Sequence, residues 1–261
     1  SGYLASILYK EEIERAMKTA GCSGFQLLDL HDFPGQGTAL VGLLDAFWDS
    51  KGVTDAETFR QACAPVTPLA RFPKAVYTND ETFTASVEIA NFTDRELSGQ
   101  SLSWVLKDEA GKEMNQGKIA CQPLSIGLNK LPVAISCPLN RKEAGRLTLS
   151  LSLEDTPYRN EWSVWVYPAE LTTEKGEIIV TRDQREAQKA LADGKKVLYN
   201  PDYKKVEGLE GKFVPVFWSP VHFPKQAGSM GILCDATHPA FRHFPTGNYT
   251  DWQWWSLLKQ S

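Results

Sequence analysis

The chain has 261 residues, 42% of them hydrophobic and 23% charged, with a formal net charge of -4; this is the balance of a globular protein with room for about two domains. The negative charge and the lack of a basic stripe interleaved with aromatics argue against a nucleic-acid partner. No apolar run approaches the ~18 residues of a membrane span, and no signal-peptide pattern opens the chain.

Taken in order, Ile7, Ile13 and Met17 recur among Lys10, Glu11, Glu12, Glu14, Arg15 and Lys18. This pattern predicts an amphipathic helix that ends near Gly21, with the glutamates on its solvated face. Residues 24–52 read GFQLLDLHDFPGQGTALVGLLDAFWDSKG. The short apolar run 25–30 predicts a strand buried on both faces. Pro34, Gly35 and Gly37 then make a loop, and Leu40, Leu43, Leu44, Phe47 and Trp48 follow at helical spacing up to Gly52. Strand, glycine-rich loop and helix make one βα unit of a parallel sheet. Such a unit needs parallel neighbours, so it reads as the C-terminal end of a larger α/β domain.

Between Lys51 and Lys74 lies a connector with a short helix at 56–63, closed by Pro65, Pro68 and Pro73, where a domain boundary is expected. From 75 to 168 the period changes to two. Phe83, Ala85, Val87 and Ile89 alternate with polar residues, as do Leu102, Trp104 and Leu106, and LTLSLSL and EWSVWVY follow. About seven short strands predict an antiparallel β-sandwich of immunoglobulin-like type. Trp104 is expected in its core, with a role as a sugar platform as the alternative. After Pro168 the strands 177–181, 196–199, 213–218 and 230–234, with a helix at 183–192, predict a small flavodoxin-like or Rossmann-like sheet. It has no GxGxxG, so neither a dinucleotide nor any other cofactor is expected. The expected domains are thus 1–66, 67–168 and 169–261. Five cysteines, Cys22, Cys63, Cys121, Cys137 and Cys234, lack CxxC spacing, which argues against a metal site. Buried free thiols are expected, with a Cys121–Cys137 bridge as the alternative.

The segment GFQLLDLHDFPGQGTALVGLLDAFWDSKG, preceded by YKEEIERAM, resembles the end of the catalytic barrel of glycoside hydrolase family 2, the β-galactosidase- and β-glucuronidase-like enzymes, in members of the Bacteroidetes type. Where the family usually carries tryptophan around the first aspartate of its D-x-x-D, Leu28 and Leu30 stand here. The tail HPAFRHFPTGNYTDWQWW resembles a C-terminal amidotransferase-like domain appended to many such enzymes. The resemblance implies a multidomain protein: the terminal βα part of a (β/α)8 TIM barrel, an immunoglobulin-like sandwich and a small α/β domain. It implies a periplasmic or secreted hydrolase that cleaves O-glycosidic bonds of plant or host glycans by a retaining two-glutamate mechanism. Both glutamates would lie upstream, so the chain alone is expected to be inactive. Its partners would be that N-terminal catalytic portion and, through the complete enzyme, a carbohydrate. The alternative is a non-catalytic carbohydrate-binding or architectural module.

At the end of the expected barrel strand, Asp29, His31 and Asp32 could hydrogen-bond sugar hydroxyls, with Gln36 reaching into the same cleft. The competing reading has these carboxylates hold loops by accepting backbone N–H groups. Cys234 stands where an amidotransferase fold carries its nucleophile, but Asp235 and Ala236 replace the glycine of a nucleophile elbow, so a non-catalytic copy is expected. Trp252, Trp254 and Trp255 could stack on sugar rings or pack at a domain interface, with Asp251 capping the last helix.

Overall fold

The computed structural model describes residues 2–28, 30–35, 40–171, 176–202, 204, 211–212, 224, 228–229 and 232–257. Two helices, α1 (Gly2–Met17) and the short α2 (Ala56–Arg60), precede eight strands. These are β1 (Val66–Arg71), β2 (Val76–Thr78), β3 (Thr82–Asn91), β4 (Ser101–Asp108), β5 (Glu113–Ala120), β6 (Gly127–Pro138), β7 (Gly145–Leu153) and β8 (Arg159–Tyr167).

Period-two alternation puts one side of each strand toward a shared interior. The strands form a three-stranded sheet in the order β1-β3-β6 and a five-stranded sheet in the order β2-β8-β7-β4-β5. Neighbours are antiparallel except for β2 and β8, which run parallel. Phe83, Val87 and Ile89 from the first sheet share one core with Leu106, Leu147, Leu149, Leu151 and Val164 from the second. Each large side chain so buried contributes about 1.5–3 kcal/mol. Trp104 packs half-buried against this core. Its indole lies over the facing strand at Gly117, where a Cβ would come within 2.6 Å of Nε1, so the approach requires glycine.

Helix α1 bridges two surroundings. Ile13 and Met17 pack with Ala62, Leu69 and Ala90 on the sandwich, whereas Leu4 and Leu8 cluster with Trp254 of the tail. The tail carries 3₁₀ turns at Pro239–Phe241 and Trp252–Trp254. It is fastened to the end of β8, where Tyr167 stacks on Phe244 and its hydroxyl donates to Gln253 Oε1 at 2.7 Å. Between sandwich and tail lie β9 (Ile178–Thr181), α3 (Gln184–Ala192) and β10 (Lys196–Tyr199), in which the two strands pair in parallel. Asp183 caps α3 by accepting from Arg185 and Glu186 N–H. The two-residue strands β11 (Gly211–Lys212) and β12 (Gly228–Ser229) also pair in parallel.

This architecture overturns the expected terminal βα part of a TIM barrel and the multidomain α/β composition built on it. Among the described residues, 22–28 and 30 form no strand and 40–52 form no helix. Leu28, Leu40 and Phe47 are exposed, and Trp48 takes a left-handed φ of 72° that no helix interior allows. The physical reason is the lack of neighbours. The segment is held by isolated bridges, His31 with Leu44 and Leu44 with Ser50, and an unpaired apolar run gains nothing from strand geometry. The described α-helices are α1, α2 and α3, far from the helical ring a barrel needs. Among the described residues after 168, no flavodoxin- or amidotransferase-like sheet is formed either, since their parallel pairing is that of β9 with β10 and of β11 with β12. The expected strand 213–218 lies outside the described residues. Of 230–234, Leu233 makes an antiparallel bridge to Tyr249. No described helix is long and apolar enough to cross a membrane.

Candidate functional site

The outward half of the same alternation builds a cleft of about 1010 Å³. Its floor is the outer face of the five-stranded sheet. Arg146 and Thr148 come from β7 and Glu161 and Ser163 from β8, with Thr148 directly opposite Ser163 in the ladder. One wall is α1, through Ile7, Lys10 and Glu11. The other is the tail, through Asp251, Trp252 and Trp255. Trp252 and Trp255 stand 6.0 Å apart between ring centroids and tilted by 51°, forming an aromatic corner.

The α1 wall is positioned by Glu14, a carboxylate with no solvent exposure. Oε1 accepts from Lys10 Nζ at 2.5 Å and from Asn160 Nδ2 at 2.9 Å. Oε2 accepts from Lys18 Nζ and Trp162 Nε1, both at 2.9 Å. Burial pushes this carboxyl up, but the Lys10 and Lys18 ammonium groups more than offset it and hold the group below its ordinary range. Lys10 also lies 4.6 Å over the Trp162 ring. One side chain thus pins the helix to β8. The expectation that Glu14 lies on a solvated helix face is corrected here: this charged stretch hides one residue, two of whose four partners come from more than 140 positions away.

Two other carboxyls on the cleft walls are shifted upward. Glu11 is raised by burial, with the neighbouring Glu14 adding to it. Asp251 is raised by burial against the opposing pull of the Trp252 N–H and Arg146. Asp251 also caps the last 3₁₀ turn, accepting from Trp252 N–H at 2.6 Å.

The structure separates the residues that the sequence singled out. Asp29 and Gln36 lie outside the described residues. His31 is half-buried, its Nδ1 2.6 Å from the Asp32 carbonyl and its ring 4.4 Å from Trp48. The buried Asp32 carboxylate accepts from Gly42 N–H at 3.0 Å and Lys51 Nζ at 2.6 Å. Gly42 sits so close that a Cβ would be 2.3 Å from the His31 carbonyl carbon. Asp32 therefore holds its own loop, and neither it nor His31 borders the cleft. Of the three tryptophans, Trp254 is a packing residue, buried against Leu4 and Leu8 with its Nε1 donating to Thr246. Trp252 is half-buried and packs on the same cluster while also lining the cleft, and the more exposed Trp255 lines it beside Trp252. Cys234 Sγ lies 3.3 Å from the Gly247 carbonyl, and all five cysteines are free thiols. No group of three or more potential metal ligands occurs among the described residues.

Sequence reasoning missed the floor. Its signal lay in the polar positions that alternate along LTLSLSL and EWSVWVY, together with Arg146 just before the first.

Residues 81–168 match the family model described as domain of unknown function DUF8488, and residues 178–261 that described as domain of unknown function DUF8487. No curated protein matches the chain. Among solved structures, it is similar to the CARDB domain of the PF1109 protein from Pyrococcus furiosus, crystallised in complex with di-metal ions. The identity is 10%, over 40% of this chain and 93% of that one, and the TM-score of 0.30 is too low to establish a shared fold.

Proposed function

We propose that this chain is a non-catalytic, carbohydrate-binding accessory region of a glycoside hydrolase. The observation that carries the reading is the cleft itself: a tilted tryptophan pair facing a floor of hydroxyl, carboxylate and guanidinium groups. Pyranose rings offer an apolar face and a rim of hydroxyls, and this pairing of surfaces matches both. The buried Glu14 clamp keeps the α1 wall in place before any ligand arrives, which lowers the ordering cost of binding. The enzyme context rests on the resemblance to glycoside hydrolase family 2, in which hydrolysis belongs to two glutamates of another part of the enzyme. Within the cleft, Asp251 is committed to capping and Glu161 is exposed on a strand, which suits holding a sugar better than cleaving it.

Affinity electrophoresis of the 261-residue chain through gels containing xyloglucan, galactomannan, alginate or pectin tests this. Retardation by at least one polysaccharide is expected, and it should disappear in a Trp252→Ala/Trp255→Ala variant whose circular dichroism is unchanged. No retardation by any of the four, or retardation that survives the double substitution, would overturn the reading. Turnover of a chromogenic β-glycoside by the chain would overturn its non-catalytic part.

A further inference from the structure

The cleft looks basic at first sight. Lys10, Arg15, Lys18, Arg71, Lys74 and Arg146 line it against three carboxylates, Glu11, Glu161 and Asp251. Such an excess would suit a uronate- or sulfate-bearing glycan. The partners behind the lining remove it. Lys10 and Lys18 converge on Glu14 at 2.5 and 2.9 Å. Arg15 pairs with Glu12 at 3.1 Å, Arg71 with Glu88 at 2.7 Å and Lys74 with Glu81 at 2.5 Å. Three lining carboxylates and these four behind them make seven anions against six cations.

Only Arg146 among the six cations makes no ion pair with the described residues, and it shares its surroundings with Asp251. An anionic ligand entering here would meet one such guanidinium and would also face Glu161 and Glu11. It would have to give up its hydration for cations whose charge is already balanced, an exchange that loses free energy. A neutral hydroxyl meets no such penalty. It can donate to a carboxylate and accept from a guanidinium, and the floor supplies both on adjacent strands, with the Thr148 and Ser163 hydroxyls between them.

Resting on the carbohydrate-binding reading above, we propose that the cleft takes a neutral oligosaccharide, its ring faces on Trp252 and Trp255 and its hydroxyls on Arg146, Thr148, Glu161 and Ser163. The cleft is at the upper end of the range for small-molecule sites, so there is room for several sugar rings.

Isothermal titration calorimetry on the full chain separates this from its rivals. The probes are cellohexaose, xylohexaose and mannohexaose, against hexagalacturonate and a heparin hexasaccharide, each at 20 and 300 mM NaCl. At least one neutral hexasaccharide is expected to bind, with an affinity that changes less than about twofold between the two salts. The acidic probes should bind at least about tenfold more weakly. Glu161→Gln, a change on an exposed strand position, should weaken the neutral ligand about tenfold, since it replaces a charged acceptor with a neutral amide. Binding of the acidic probes alone, weakened by salt and strengthened by Glu161→Gln, overturns the ligand class and leaves the carbohydrate reading standing. Binding of neither class overturns both.

Discussion

Residues 66–167 and residues 22–52 are both rich in apolar side chains, yet the first stretch buries most of them and the second leaves most of its described ones exposed. In the sandwich, Phe83, Leu106, Leu149 and Val164 are sealed between two sheets whose strands pair along their length. In 22–52, Phe47 is 84% exposed and Leu28 69%, and the backbone is tied by isolated bridges such as His31 with Leu44 and Leu44 with Ser50. The difference teaches that an apolar run is buried only where the chain offers partners for its backbone as well as its faces. The local polar contacts of 22–52 are well made, Asp32 with Gly42 and Lys51 above all, so among its described residues this is a segment with a fixed loop and one buried apolar side chain, Leu43.

The strongest way to break that contrast is to delete equal bulk from each side of it. Leu149→Ala should lower the free energy of unfolding by about 4 kcal/mol, because a fully buried leucine leaves a cavity between two rigid sheets. Urea unfolding followed by circular dichroism measures it. A cost under about 1 kcal/mol would mean that the sheets collapse onto the gap and that the core is less close-packed than described.

A second test sharpens the contrast at the join between helix and sandwich. Glu14→Gln should cost about 3 kcal/mol, since it leaves the Lys10 and Lys18 ammonium groups near the sandwich without their anion. A double-mutant cycle with Asn160→Ala should show coupling, because the two side chains share one hydrogen bond. The pH dependence has a definite sign. The folded-state pKa of Glu14 lies below its ordinary value, so its contribution is fully present above the ordinary carboxylate range. It is lost as pH falls through the lowered folded value. The wild-type chain should therefore lose stability in acid more steeply than Glu14→Gln, and unfolding midpoints at stepped pH would show this. Parallel slopes would sink the clamp.

The sandwich was legible because period two is a local property that survives in any context where one face is covered. The residues named from alternation, Phe83 to Ile89 and Leu147 to Leu153, are the ones that fill the core. The parallel βαβ unit at 178–199 was legible for a similar reason, with Asp183 and Gly194 marking the ends of its helix. The segment 24–52 carries strand and helix periodicity without forming either element, because a parallel strand depends on neighbours that no local pattern reveals. The candidate site divides in the same way. Trp252 and Trp255 stood out in the sequence as a cluster, but Trp254 between them turns inward, a distinction set by the tail's fold against α1. The floor residues Arg146, Thr148, Glu161 and Ser163 come together only through the register of β7 on β8. The burial of Glu14 could not be read, since Asn160 and Trp162, which join Lys10 and Lys18 around it, come from β8.

The smallest effect expected is the most direct check on the exposed segment. A Leu28→Ser/Phe47→Ser variant should change the free energy of unfolding by no more than about 0.5 kcal/mol, because both side chains already stand in water and leave no cavity. What should change is association. Exposed apolar side chains draw molecules together at high concentration, so the double variant should show a smaller apparent mass than the parent by light scattering at several milligrams per millilitre. A loss of several kcal/mol in the same variant would show instead that Leu28 and Phe47 are buried in the folded chain, and the contrast between the two regions would collapse.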